Sequence, residues 1–372
     1  DRTMFDLLRR RGSRTQRPSD PATSTEPATD PVAGLHQPPV QVSEVSGLAD
    51  ALAAGDLDAA VGAVAGSTLP SLDRARVELQ VRHELFRQAA EGGSELPALP
   101  QVARRASGTP APECQAADLD VATVREGVLG SGSLIVRGLF DEQTCAGLRD
   151  QIDAGMAHFE GRERSLDPNW FAPLSDLTGD PAAPDYRRSG YVIFDGTVLA
   201  ADAPPVAVEL LRLFRETGVA DIARDYLGEA PALTLQKWVL RRVAPVEHAG
   251  WHQDGAFMGT DLRALNLWVA LSDCGVSAPS LEIVDRPFDR VVPTGTPGAY
   301  FDWDVAPDVV DAERGEAAIE YPVFRAGDAI FFDHLTLHRT GVRPGMTQDR
   351  YALESWFFAP SSYPPQYAGL LV

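Results

Sequence analysis

Residues 251–255 read Trp251-His252-Gln253-Asp254-Gly255. On a strand, side chains two residues apart leave the same face, so His252 and Asp254 could reach one metal ion. A further ligand then has to come from a distant segment that folds back beside this one. The stretch Gly327-Asp328-Ala329-Ile330-Phe331-Phe332-Asp333-His334-Leu335-Thr336-Leu337-His338-Arg339-Thr340 offers His338. His334, four residues earlier and so on the same face of a continuous strand, is the alternative. Two His and one carboxylate on one face of an octahedral ion form the facial triad of non-haem Fe(II) oxygenases, which leaves three positions open for a cosubstrate and O2. An isolated H-x-D is weak. It gains weight from the second His, 84 residues after Asp254 and behind a Gly-Asp turn, and from Arg350 twelve residues further on.

The pattern around these residues is β. Leu233–Leu240, Ala264–Leu271, Leu281–Val284, Ala329–His338 and Tyr351–Phe358 all read as strands. Many short strands in succession suggest a sandwich or jelly roll, with the metal ligands inside it. Upstream, Ser133–Phe140 is a short apolar strand, and Asp141 is placed to cap a helix carrying Cys145, Leu148, Ile152 and Met156. Val206–Leu227 is again helical. Residues 161–190 have no clear period, and Trp170, Phe171 and Tyr186 within them are candidate substrate contacts, because long irregular stretches often serve as lids or binding loops.

The chain divides into a tail, an extension and a main domain. Residues 1–45 are rich in Pro, Ser, Thr and Asp, bury little and are expected to be disordered. The run Met4–Arg11 could form a short basic helix. Residues 46–118 carry two or three amphipathic helices, with Leu48, Leu52, Leu57, Val61, Val64, Leu72, Val77, Val81, Leu85 and Phe86 at helical spacing, followed by a linker. They could cap the main domain, form a homodimer face or receive a protein partner. The main domain runs over residues 119–372.

Composition limits the partners. The 372 residues include 33 basic and 53 acidic side chains, a net charge of -20. That balance opposes nucleic acid and anionic membrane surfaces. Three cysteines, Cys114, Cys145 and Cys274, with no C-x-x-C spacing, suggest neither a disulfide framework nor a zinc ribbon. With no apolar run of about 18 residues and no signal-peptide core, a cytoplasmic protein is expected. One oddity bears on the site: Lys237 is the only lysine in the chain.

Residues Trp251–Gly259, the strand Leu265–Leu271, the Gly327-Asp328 turn before His338 and the opening strand and helix, Leu134–Met156, resemble the phytanoyl-CoA dioxygenase family of Fe(II)/2-oxoglutarate oxygenases. The likeness spans about residues 119–360. It implies a mainly β fold with flanking helices, a double-stranded β-helix (cupin-like jelly roll) preceded by the helical extension. It implies His252, Asp254 and His338 as iron ligands, and Arg350 as the partner of the distal carboxylate of 2-oxoglutarate, a role suited to a planar fork of donors. Arg343 is the substitute. Thr340, Trp268 and Gln236 fall where relatives line the cosubstrate pocket. On a regular strand Lys237 faces away from Gln236, so only one of the two should point inward.

The sequence departs from the family at Pro279–Pro287, where relatives carry a Gly-rich turn ending in Gly-Ser-His. That weakens inference about substrate and leaves the triad untouched. Asp254 favours hydroxylation, desaturation or ring formation over halogenation, since related halogenases carry a small residue there. The implied activity is hydroxylation of a small molecule, free or carried on CoA or a carrier, with release of succinate and CO2. Two alternatives stay open: a cupin-type metalloenzyme that works without 2-oxoglutarate, and a silent binding module of the same fold.

Overall fold

Every residue of the strand Ala264–Ala270 is buried, and its side chains go alternately to two different cores. Leu265, Leu267 and Val269 face a core built with helices, whereas Ala264, Trp268 and Ala270 face a second core on the opposite side. A strand covered on both faces has no polar side to show, which is why it reads as a continuous apolar run.

The structure is a computed structural model that describes residues 45–93, 95–106, 111–160, 196–246 and 250–372. The tail, the Met4–Arg11 run, His248 and the candidates Trp170, Phe171 and Tyr186 lie outside the described residues. In chain order the elements are α1 (Leu48–Ala54), α2 (Leu57–Ala65), α3 (Ser71–Gly92), β1 (Glu113–Gln115), α4 (Val121–Ser131), β2 (Ser133–Arg137) and α5 (Glu142–Glu160). Then come β3 (Thr197–Leu199), α6 (Pro204–Glu216), α7 (Val219–Leu227), β4 (Ala232–Val243), α8 (Gly255–Met258), β5 (Ala264–Ala270) and β6 (Ser280–Val284). The last are α9 (Pro307–Arg314), β7 (Ile319–Glu320), β8 (Ala329–Phe332), β9 (His338–Gly341), β10 (Arg350–Phe358) and β11 (Gly369–Leu371).

The strands form two sheets. The larger has the order β1-β2-β8-β5-β10-β4-β11, with β3 also on β4, and the smaller is β7-β6-β9. Helices cover one face of the large sheet, and the small sheet lies over the other: Leu281 and Ile283 of β6 share a core with Trp268, Ile330, Phe332, Ala352 and Trp356 of the large sheet. The inter-sheet space is where the candidate site lies.

Three readings of the sequence change. First, Ala329–His338 is not one strand. β8 ends at Phe332 in the large sheet, the chain turns over residues 333–337, and β9 begins at His338 in the small sheet. Asp333 makes the turn, its carboxylate accepting from Leu335 N at 2.9 Å and from the Thr336 hydroxyl at 3.2 Å. Second, the helical run after Val206 is two helices broken at Gly218, which takes a left-handed φ of 76. Third, the large sheet begins at Glu113, ahead of residue 119, because β1 pairs parallel with β2.

The Asp141 cap is as expected, with Thr144 N donating to its carboxylate at 2.7 Å. The α1–α3 helices bury their apolar stripes, Leu48, Val64, Val77, Val81 and Leu85, against Ala232 and Leu371 at the edge of the large sheet. Arg82 and His83 of α3 bond the carbonyls of Leu371 and Gly369, at 3.0 and 2.7 Å. Of the roles open to the extension, capping the main domain is the one this packing serves.

The Gly327-Asp328 turn ties the two ends of the core together. Gly327 has φ 94, and a Cβ there would lie 2.0 Å from the Phe140 carbonyl oxygen. Buried Asp328 accepts from Arg137 Nη1 at 2.8 Å, Gly138 N at 2.9 Å and Arg325 N at 3.0 Å. Asp328→Ala strips three donors of one charged acceptor and is expected to cost about 3 kcal/mol, read as a lowered midpoint in urea unfolding. An unchanged midpoint would show that the turn is held by packing alone.

Candidate metal centre

Backbone pairing brings the two histidines together. His252 and His338 sit opposite each other as an antiparallel pair, His252 N donating to His338 O at 2.9 Å and His338 N to His252 O at 3.0 Å. Their rings lie 4.4 Å apart between centroids. Asp254 does not extend this strand. It has helical backbone angles at the start of α8, and the turn carries its carboxylate round to within 3.9 Å of His252 Nε2. Period two is therefore not what unites His252 and Asp254. One ligand atom each from His252, Asp254 and His338 lies within 4.8 Å of the others, and they form the one such group among the described residues.

The histidines are held the same way. His252 Nδ1 donates to the Gly250 carbonyl at 3.1 Å and His338 Nδ1 to the Thr336 carbonyl at 2.9 Å, each two residues back. A carbonyl only accepts, so the proton sits on Nδ1 and each Nε2 presents its lone pair to the shared space. Burial, reinforced by the neighbouring His338, pushes His252 down to about 4. It stays neutral at ordinary pH, as a metal-binding imidazole must.

Gln253, between the two ligand candidates, carries a role that sequence reasoning missed. Its side chain is fully buried on the side away from the ligands; its amide donates to the carbonyls of Arg290, at 3.1 Å, and Leu335, and accepts from Val292 N at 2.7 Å. One amide thus ties the ligand segment to the 290–292 loop and to the turn before His338. The available signal was its place inside H-x-D, where alternation turns it away from the metal and into the core. Gln253→Ala is expected to weaken Fe(II) or Co(II) binding about 10–100-fold in calorimetric titration, the usual effect of removing an outer support of a metal site.

His334 is not part of the group. Its ring Nε2 lies 3.1 Å from the Thr260 carbonyl, and its backbone oxygen accepts from Gly255 N at 2.7 Å, so it braces α8. Lying in the turn between sheets, it does not share a strand face with His338.

Arg350 opens β10 and is fully buried. Its guanidinium donates to Ser280 O at 2.9 Å and to the Thr340 hydroxyl at 3.4 Å, and lies over Trp268 at 5.5 Å. No carboxylate pairs with it among the described residues, and burial pushes it down to about 10. Its Nε and the Trp268 Nε1 are both buried donors with no acceptor. Thr340 follows His338 by two residues on β9, so hydroxyl and imidazole share a strand face. Arg343, the substitute, is half exposed and engaged by Glu282 at 3.1 Å.

Gln236 and Lys237 depart from simple alternation. Trp238 lies opposite Ser355, yet Leu233 lies opposite Phe357, so residues 234–237 of β4 bulge against Trp356 alone. Leu235 and Trp238 both face the helix-side core, which leaves Gln236 and Lys237 together on the inner face. Gln236 turns to the C-terminal segment, accepting from Ala368 N at 3.2 Å. Lys237 places Nζ 4.3 Å from the centroid of the Phe257 ring, beside His252.

A family model for phytanoyl-CoA dioxygenase (PhyH) matches residues 130–343. The chain belongs to the phytanoyl-CoA dioxygenase family. With the family come iron and 2-oxoglutarate, the metal and cosubstrate that the motifs implied. His252, Asp254, His338 and Thr340 fall inside the match; Arg350 lies beyond its end. No curated protein sequence matches the chain. Among solved structures, similar ones include the non-heme alpha ketoglutarate dependent carbocyclase SnoK from nogalamycin biosynthesis, 18% identical over 66% of this chain and 86% of its own, with a TM-score of 0.42. EctD from S. alaskensis, solved with 2-oxoglutarate and 5-hydroxyectoine, is 18% identical over 62% of this chain and 73% of its own, also at 0.42. Similarity at that level says nothing of this chain's substrate. No described helix is long and apolar enough to cross a membrane.

Behind the pair, Val305 bridges Trp251 and sets buried Asp304 against Gly250. A Cβ at residue 250 would lie 2.2 Å from an Asp304 oxygen, so Gly250 is required there. Burial pushes Asp304 up from 3.8 to about 6, outweighing the backbone N–H groups of Tyr300 and Phe301, which favour the charged form. A raised carboxylate favours the folded state below its unfolded value and loses that contribution as pH rises through its folded one. Asp304→Asn is therefore expected to raise the melting temperature of the metal-free protein at pH 7.5, with the gain shrinking to nothing below about pH 4. Melts across that range check it; a gain independent of pH would assign the effect to something other than the carboxylate.

Proposed function

We propose that this chain is an Fe(II)/2-oxoglutarate-dependent dioxygenase that hydroxylates an unactivated C–H bond of a small molecule, free or carrier-bound, releasing succinate and CO2. The two sheets act as the walls of a double-stranded β-helix. His252, Asp254 and His338 hold the iron; Arg350 and Thr340 receive the distal carboxylate of 2-oxoglutarate, with Trp268 as the pocket wall. The observation that carries the reading is the Arg350 guanidinium, buried without a carboxylate and bonded to a hydroxyl two residues along the strand from His338. A charge left this way is costly, and an anionic ligand of the right length removes the cost.

The donor set fits a facial triad: two neutral imidazoles and one carboxylate. Iron, when bound, supplies the oxidation of 2-oxoglutarate and the activation of O2. The chain's own part is to orient and to exclude. The Nδ1 bonds fix both rings, Gln253 fixes the segment between His252 and Asp254, and Arg350 sets the direction from which the cosubstrate enters. The apolar inter-sheet core, Trp268, Leu281, Ile283 and Phe332, keeps water from the buried end of that pocket. A carboxylate at residue 254 supports hydroxylation over halogenation.

An anaerobic titration with Fe(II) and then 2-oxoglutarate, followed by the visible charge-transfer band of the chelate, tests the reading. The band is expected in the wild type and absent in His338→Ala. Arg350→Ala is expected to need about 10–100 times more 2-oxoglutarate, the equivalent of losing charge-assisted hydrogen bonds. Iron binding without a band in the wild type points to the cupin-type metalloenzyme that works without 2-oxoglutarate. Failure to bind iron points to the silent module.

A further inference from the structure

Beside the candidate ligand His252 stands an aromatic wall outside the His252, Asp254 and His338 group. Tyr300, Phe301 and Trp303 are exposed, at 74%, 44% and 38%, in one short loop. Scattered exposed apolar residues are ordinary, whereas a joined patch marks a binding surface. Phe301 and Trp303 are stacked, 5.1 Å between centroids and 6° between planes. Trp303 meets the His252 ring edge to face at 5.7 Å and 82°, and the Phe257 ring at 5.8 Å and 83°. Phe257 in turn lies 6.4 Å from His252 at 27°. The wall thus begins at a metal-ligand candidate and runs out to solvent.

The wall is anchored. Val305 N donates to Trp251 O at 2.8 Å, Asp304 N to Phe301 O at 3.1 Å and Gly295 N to Asp304 O at 2.9 Å, so the loop is tied to the ligand strand and closed on itself. At its inner end stands the chain's single lysine, Lys237, whose bulged position turns the ammonium onto Phe257. An aromatic face with a cation at one end recognises a flat molecule carrying an anion, the rings by stacking and the anion by charge. A cationic ligand meets repulsion at the same point.

We propose that this wall is the primary-substrate subsite and that it takes an aromatic or flat polycyclic acid, its ring against Phe257 and Trp303 and its acidic group toward Lys237. The proposal rests on the oxygenase reading above, and it sets the target C–H beside His252.

The test uses the full chain under argon, loaded with Fe(II) and saturating 2-oxoglutarate so that Arg350 is occupied. Calorimetry and the chelate band then read the binding of 2-naphthoate, its neutral amide and 2-naphthylmethylammonium. The acid is expected to bind about tenfold more tightly than the amide, with the ammonium weakest. Trp303→Ala is expected to weaken acid and amide alike, by about fivefold. Lys237→Met is expected to remove the acid's advantage and leave the amide within about twofold. Val276→Ser, a change at an exposed apolar residue elsewhere on the surface, serves as the control and is expected to change neither. A chelate band with equal binding of the three probes, or naphthoate binding untouched by Trp303→Ala, overturns the proposal and leaves the oxygenase reading standing. Absence of the band in the wild type overturns both.

Discussion

Two backbone hydrogen bonds between His252 and His338 hold the site together. They form only if the segment after β4 lies beside the start of β9, and β9 reaches that place only because the chain leaves the large sheet at Phe332 and crosses to the small one. Asp333 directs the crossing, and the Gly327-Asp328 turn fixes where β8 begins. The candidate metal group is thus a product of topology. Its side chains need little further orientation, since each imidazole is locked by a carbonyl of its own strand, and the Asp254 carboxylate is swung into place by the first turn of α8.

The large sheet makes this possible by being buried twice. Its inner face is shared between packing and chemistry: Ile330, Phe332 and Trp356 fill one part of the inter-sheet space, while Trp268 and Arg350 give the other a flat wall and a charge. Close packing on the helix side resists any slip of strand register, and a one-residue slip would move Arg350 from the site to the helix core. The helices α1–α3 add to that resistance by closing the β11 edge, where an open strand would otherwise stand exposed.

Much of this was legible. Alternation picked out β4, β5, β6 and β10, and spacing with family likeness named His252, Asp254 and His338, which the structure brings within 4.8 Å of one another as a candidate ligand set. What could not be read were the places where local rules yield to tertiary ones. The apolar run through Ala329–His338 looks like one strand because both sheets want apolar residues; only the Asp333 turn divides it. Gln236 and Lys237 share a face because a bulge opposite Trp356 cancels the alternation. Trp303 lies about fifty residues from His252 in sequence, in a loop with no period, and reaches the site through the Trp251–Val305 bridge, which no local pattern announces.

The same logic explains why the centre is built at a cost. Buried Arg350 makes no hydrogen bond to an acid among the described residues, Trp268 Nε1 has no acceptor, and Asp304 is buried against Gly250. Each lowers the stability of the empty protein, and a fold selected for stability alone would replace all three with apolar side chains. Under the proposed function Arg350 and Trp268 line the cosubstrate site, and an uncompensated donor there would be a reserve of binding energy that a carboxylate ligand recovers on arrival. Ligand binding and folding stability are then linked: whatever fills the pocket stabilises the native state in proportion to its concentration over its dissociation constant. In a chain of net charge -20, an anionic cosubstrate gains nothing from long-range attraction. On the proposed reading its affinity would come from this one buried fork of donors, whose hydrogen bonds go to Ser280 O and the Thr340 hydroxyl and not to a carboxylate.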